Sequence, residues 1–327
     1  MVFVFVTSMT AFAKYWPTRK WRVSAPEKQG MDSTTLNQMS DFVKESKPRM
    51  SSIIVVRNGY LVFEEYYEGN EDDVQIIHSV TKSIISALIG IALKEGFIES
   101  IDQKIVDVFP EYVTDETDPL FEEITIRHLL TMTSGIQAIL NIEICFSKQL
   151  LTPPGTYFRY NTVDPHILSA IITKSTGMSA LEYGKKQLFN PLGIKQVKWE
   201  ADSNGISFGG GGIGMMSRDM AKIGYLYLND GMWGRKQILT TEWTNESTQY
   251  QVDVSGTVGK VVEGYGFLWW VINILDYPSF NAIGMGGQHI CVIPDLELLF
   301  VTTEIGAAYG DFRNSKMLEM FIIPSIY

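Results

Sequence analysis

The chain has 327 residues, enough for two ordinary domains or one large one, and its 45% hydrophobic and 20% charged content is that of a folded globular protein. A formal charge of −10 repels phosphate backbones and excludes a dedicated nucleic-acid binder. Two cysteines, Cys145 and Cys291, make neither a disulfide framework nor a zinc cluster.

Residues 1–13 are apolar and end in Ala11-Phe12-Ala13, the small-x-small pattern of a signal-peptidase site, but they lack a basic leading region. Two readings stand. One is a clipped export signal, which places the protein outside the cytoplasm. The other is an apolar leader packed on the domain of a cytoplasmic protein. Residues 1–20 are therefore set apart. Asp32 is placed to cap a helix in which Leu36, Met39 and Val43 recur at helical spacing. Residues 52–56 and 60–67 are β-rich runs around Asn58-Gly59, the dipeptide of a tight hairpin turn. Residues 80–95 read as a helix closed by Gly96. Its apolar run at 84–93 is far short of the roughly 20 residues that span a bilayer, so no stable membrane insertion is expected.

From about 100 to 235 the pattern is mainly helical, with helices expected at 127–132, 167–174, 180–188 and 218–228, the last capped by Ser217. Strands return at 265–272, and 288–293 with 298–303 form a second hairpin around Pro294-Asp295. A final helix is expected over 311–321. Strands at both ends of the chain pair only if the helical section is an insertion. The expected architecture is an antiparallel sheet domain from 21–78 and 236–327, covered by the terminal helices, with a mainly helical domain from 79–235. A cleft between them is the natural ligand site.

Two motifs mislead. Gly205-Ile206-Ser207-Phe208-Gly209 matches G-x-S-x-G, but the polar stretch before it and the glycines after it are not the strand and helix of a nucleophile elbow. Gly209, Gly211 and Gly214 match G-x-G-x-x-G without a surrounding βαβ pattern. The four histidines, His78, His128, His166 and His289, show no metal-ligand spacing and read as surface or satisfied core residues.

Ser79-Val80-Thr81-Lys82 is the Ser-x-x-Lys of the chain, and its context gives it meaning. Between Asp73 and Lys94, Lys82 is the only Asp, Glu, Lys or Arg, on a helix that is apolar on nearly all sides. A buried ammonium must be paired or neutralised through a lowered pKa. Ser79 and Lys82 share one helix face. Ser79 stands at the helix start, where backbone N–H groups are free. A hydroxyl nucleophile, an amine base and oxyanion donors suffice for acyl transfer. The bland alternative is a capping serine with a lysine that snorkels to the surface.

The chain resembles the serine hydrolases of the class C β-lactamase and DD-peptidase superfamily, nearest to the esterase and 6-aminohexanoate-dimer hydrolase branch. Ser79-Val80-Thr81-Lys82 corresponds to the nucleophile motif. Ile124-Thr125-Ile126-Arg127-His128-Leu129-Leu130-Thr131-Met132-Thr133-Ser134-Gly135 is very similar to a segment of the superfamily. Pro154-Gly155-Thr156-Tyr157-Phe158-Arg159-Tyr160-Asn161 resembles the stretch that brings in the catalytic tyrosine. Asn190-Pro191-Leu192-Gly193-Ile194 and the glycines before Arg218-Asp219 also fit. The resemblance implies an α/β (α+β) fold of the β-lactamase/transpeptidase type, with an antiparallel sheet, flanking terminal helices and an inserted all-helical domain. It implies Ser79 as nucleophile, Lys82 as the base or the group that holds the base, Tyr160 as proton relay, and the backbone N–H groups of Ser79 and Met285 as oxyanion donors.

Two departures from the family's motifs stand out. Thr162 stands where the family's Tyr-x-Asn has asparagine. Ala282-Ile283-Gly284 stands where Lys-Thr-Gly or His-Thr-Gly is usual, so Ala282 replaces a cation that helps hold a substrate carboxylate. Thr162, Ala282 and Gly284 are thus the expected substrate-binding positions. The expectation is a serine hydrolase without metal or cofactor, acting on small uncharged esters, then on linear amides. The alternatives are a β-lactamase or penicillin-binding DD-peptidase, and a penicillin-binding sensor that acylates and stalls.

Overall fold

Asn58 and Gly59 both adopt positive φ, 51° and 77°, and close the hairpin of β1 (Met50–Arg57) and β2 (Tyr60–Tyr66). The computed structural model describes residues 14–46, 49–254, 262–306 and 314–327. The apolar leader at 1–13 lies outside the described residues. Helix α1 (Ser33–Ser46) starts at Asp32, whose carboxylate accepts from the Thr34 and Thr35 amides, and buries Leu36, Met39 and Val43. Helix α2 (Val80–Lys94) ends where Gly96 turns left-handed at φ 78°. Next come α3 (Ile126–Leu130), α4 (Val163–Thr176), α5 (Ser217–Leu228) and α6 (Thr241–Thr248).

The chain then returns to strand. The elements are β3 (Val262–Tyr265), β4 (Trp270–Ile274), β5 (Tyr277–Gly284), β6 (Gln288–Ile293) and β7 (Leu298–Glu304). They join the first hairpin in one antiparallel sheet of order β2-β1-β7-β6-β5-β4-β3. β1, β6 and β7 are buried on both faces, which is why they read as nearly continuous apolar runs. α5 lies across β1, β6 and β7, with Gly224 set against Ile290 and Leu299. α1 packs on the C-terminal helical segment through Phe42 and Phe321, 5.4 Å apart.

Three expectations are corrected. The strand expected over 265–272 is two strands, because Leu268 adopts φ 63° and the chain doubles back at 266–269. Ser217 is the first residue of α5 rather than its cap. Met216 is the extended residue, and Ser217 Oγ is drawn to Ser52 Oγ at 2.6 Å. The last helix is short, α7 (Ser315–Met317), and continues as a wider turn over Leu318–Ile322. The part of that expectation at 311–313 falls outside the described residues. Among the described residues no helix is long and apolar enough to cross a membrane.

The packing of α2 is tight at one identifiable point. A methyl on Gly90 would collide with the Trp243 indole of α6. Gly90→Ala gains helix propensity, but overpacking costs about 1–3 kcal/mol and wins. The variant should unfold at lower urea than wild type by that margin. An equal or higher midpoint would show that Trp243 can move aside.

Candidate active site

Three separate parts of the chain meet at Ser79. The first is α2 itself. Residues Gln75–Ile76 form a short strand against Ile213–Met215, and this fixes the approach to the helix. His78, just before Ser79, takes φ 47°, uncommon for a side chain of this size. Ser79 is half-buried at the helix start, and Lys82 is 1% exposed one turn on. Lys82 Nζ lies 2.9 Å from Ser79 Oγ and 2.8 Å from the Gly210 carbonyl oxygen. Neither partner is a carboxylate. Burial therefore lowers the Lys82 pKa to about 7.

The second part is the glycine run. Gly209 and Gly210 sit against the first turn of α4, where a side chain at Gly209 would strike the Pro165 carbonyl and one at Gly210 would lie 2.7 Å from Thr162 Cβ. Only glycine lets the backbone come close enough for Gly210 to offer its carbonyl to Lys82. Thr162 thus borders this contact. Nothing in the sequence of the run marks one carbonyl as the lysine's acceptor.

The third part carries Tyr160. The segment leading to it is tied to the loop after α3: Gly155 N–H donates to the Thr133 carbonyl at 2.8 Å, and Arg159 N–H to that of Met132 at 2.9 Å. Tyr160 has its ring centroid 4.8 Å from Lys82 Nζ and stacks on Trp270 at 5.2 Å. Its hydroxyl interacts with Ser79, and burial pushes its pKa up to about 12. The turn at 266–269 fastens these parts together. Leu268 N–H donates to the Leu130 carbonyl at the end of α3, and Ser83 Oγ of α2 donates to the Leu268 carbonyl at 2.7 Å.

The end of β5 borders the site. A side chain on Gly284 would collide with the Ile77 carbonyl and lie 3.3 Å from His78 Cβ. β4 pairs with β5 only as far as Asn281, so residues 282–284 present a free edge on that side. Among the described residues, the backbone N–H groups of Ser79 and Met285 have no hydrogen-bond acceptor. Ala282 is 1% exposed, paired with Ile290, on the sheet face that α5 covers. It supplies core packing and no charge.

The remaining candidates have structural roles. Ser207 is buried, with its Oγ accepting from the Leu181 amide at 3.2 Å, which removes the nucleophile elbow. His128 caps α3 with Thr125, and His289 bonds Asn281 at 2.8 Å within the core. His166 faces Asp202 at 3.2 Å. Half-buried His78 faces Glu200, and desolvation lowers its pKa. Cys145 and Cys291 are buried and unbridged.

One buried carboxyl had no signal in the sequence. Asp164, in the first turn of α4, is fully buried. Ser134 Oγ donates to its Oδ1 at 2.6 Å, and its Oδ2 has no hydrogen-bond partner among the described residues. Desolvation raises its pKa to about 7.

The fold and the Ser-Lys-Tyr arrangement together define the β-lactamase-like hydrolases. The chain belongs to the Beta-lactamase family, whose model matches residues 39–304. Similar proteins include the 6-aminohexanoate-dimer hydrolase of Paenarthrobacter ureafaciens, 20% identical over 299 residues, covering 81% of this chain and 75% of its own. A Bacillus anthracis structure provisionally named as a 6-aminohexanoate-dimer hydrolase superposes with a TM-score of 0.77 at 20% identity, over 95% of this chain and 89% of its own. EstCE1, a hydrolase with promiscuous acyltransferase activity, gives 0.73 at 15% identity, over 88% and 97%.

Asp164 makes stability depend on pH. Its folded pKa, about 7, is above the ordinary 3.8, so the folded chain holds a proton that the unfolded chain releases. The stability this gives is complete below about pH 4 and is lost as pH rises to about 7. Asp164→Asn cannot ionise. Its stability relative to wild type should therefore rise between pH 4 and 8 by on the order of 2–4 kcal/mol. Urea unfolding of both proteins across that range measures it, and a difference independent of pH would show that Asp164 stays ionised in the fold.

Proposed function

We propose that the protein is a serine carboxylesterase that works through an acyl-enzyme on small uncharged esters. The observation that carries this reading is a buried lysine, 2.9 Å from a serine hydroxyl, with no carboxylate partner among the described residues. With a pKa near 7, Lys82 is neutral for part of the population at neutral pH and can accept the Ser79 proton. Tyr160 cannot, because a phenol at about 12 holds its proton; it is suited to donate instead. Ser79 Oγ attacks the carbonyl carbon while its proton passes to Lys82. The tetrahedral oxyanion accepts from the Ser79 and Met285 N–H groups. Collapse breaks the bond to the leaving alkoxide, which takes a proton through Tyr160 from Lys82. Water then enters by the reverse order of proton transfers and releases the acid.

The absence of a side-chain cation at position 282 supports uncharged substrates over those that present a carboxylate. Linear amides are the second reading, favoured by the similarity to the Paenarthrobacter ureafaciens amide hydrolase. Thr162 and Gly284 border the space a substrate would fill.

Short p-nitrophenyl esters should be cleaved with kcat/KM at least tenfold above nitrocefin. Equal values, or a higher one for nitrocefin, would overturn the ester assignment in favour of a β-lactamase or stalled penicillin binder.

Ser79→Ala should abolish both turnover and fluorophosphonate labelling. The kcat/KM profile should rise with pH through one ionisation near 7, since the protonated lysine of the acid side cannot take the serine proton. Lys82→Arg should lose as much activity as Lys82→Ala, because guanidinium does not deprotonate in a protein. A folded Lys82→Arg enzyme retaining more than about a tenth of wild-type kcat/KM, a cost below about 1.4 kcal/mol, would remove Lys82 from the mechanism.

A further inference from the structure

The turn that joins β5 to β6, residues 285–287, is held in an unusual way. Gly286 and Gly287 both take left-handed φ, 83° and 95°. The Gly287 carbonyl points into the core rather than to solvent. It accepts from Thr302 Oγ1 at 2.7 Å and from Asn314 Nδ2 at 3.0 Å, and Asn314 Nδ2 also lies 2.9 Å from Thr302 Oγ1. On the other side, the Gln288 side-chain amide donates to the Glu304 carbonyl at 2.7 Å. A methyl on Gly287 would collide with the Glu304 carboxyl. Thr302 and Asn314 are 0% and 1% exposed.

A hairpin turn needs none of this for its own closure. Burying a threonine and an asparagine costs desolvation that their bonds must offset, and both direct a donor to the same carbonyl. What the arrangement does is fix the peptide planes of a turn made of two glycines, the residues with the greatest freedom to flip. The first residue of that turn is Met285, whose N–H has no acceptor among the described residues, and Gly284 before it packs against Ile77 and His78 beside Ser79.

We propose that Thr302 and Asn314 are positioning residues that hold the β5–β6 turn so that the Met285 N–H faces the carbonyl under attack at Ser79. The inference rests on the reading of Met285 as second oxyanion donor. It extends the site to β7 and to the residue before α7, neither of which touches substrate. Without the two donors the Gly287 carbonyl is left buried and unpaired, and the turn relaxes by rotating its glycine peptides toward water. The nucleophile, base and tyrosine are untouched by that change.

Thr302→Val keeps the shape and removes the donor, Thr302→Ser keeps the donor, and Asn314→Ala removes the other. With p-nitrophenyl acetate, Thr302→Val and Asn314→Ala should each lower kcat about 10- to 100-fold, below the 10²–10³ cost of losing an oxyanion donor outright. KM should stay within about threefold, and Thr302→Ser should recover kcat to within about threefold of wild type. Assays are run well below each variant's melting temperature, so that a purely structural role lowers the melt and leaves kcat in place. Should Thr302→Val fail to fold, Asn314→Ala carries the same comparison. Folded variants with kcat within about twofold of wild type, beside an inactive Ser79→Ala, would overturn the positioning role alone. An active Ser79→Ala would overturn the acyl-enzyme reading beneath it.

Discussion

Lys82 is a buried lysine that meets no carboxylate among the described residues. Among the described residues the other deeply buried lysine is treated differently: Lys222 has Asp219 at 2.9 Å, one helical turn away. A carboxylate in that position beside Lys82 would hold the ammonium charged and leave Ser79 Oγ next to a group that cannot take its proton. What meets Lys82 instead is a hydroxyl and a carbonyl. A neutral amine satisfies both, accepting from Ser79 and donating to Gly210, so the deprotonated state loses no hydrogen bond. Burial without a carboxylate partner is the constraint that brings this lysine's pKa down to about 7.

The other features of the site follow from keeping that environment dry and fixed. The glycines at 209 and 210 bring a carbonyl where a side chain would have held the backbone away. The tyrosine segment is tied by main-chain bonds to the loop after α3, and stacking on Trp270 locks the Tyr160 ring beside the amine. The turn at 266–269 is bonded to both α2 and α3, so strand and helices share one frame. These contacts are with rigid elements, as a site that must hold its groups to a fraction of an ångström requires.

Local chemistry was legible in the sequence and long-range chemistry was not. Asn58-Gly59 specified its hairpin because the turn's conformation is written in two residues. The α2 run specified a buried helix because apolar residues on nearly every side leave no face for water. Leu268 gave no warning, since a leucine in a left-handed conformation is imposed by its bonds to α2 and α3 rather than by its own preference. β5 was not among the expected strands, because its start, Tyr277-Pro278-Ser279, lacks the apolar density of β1 or β7. Nothing in the local sequence marks Asp164 or Asn314 as buried. Their burial depends on loops that arrive from 30 and 27 positions away.

The same electrostatics bear on what the site admits. Desolvation is the only cause that lowers the Lys82 pKa; no neighbouring cation adds to it. In a site with a second lysine or histidine at position 282, like-charge repulsion would help neutralise the base, and an incoming carboxylate would find a partner of its own. Here Ala282 is sealed in the core. A substrate carboxylate placed nearby would act on Lys82 itself, raise its pKa and return it to the ammonium form, so binding would work against the proton transfer that has to follow. An uncharged ester leaves the base as the fold made it. A lysine whose pKa is lowered by desolvation alone is thus sensitive to any charge placed near it, and a neutral group leaves it unchanged.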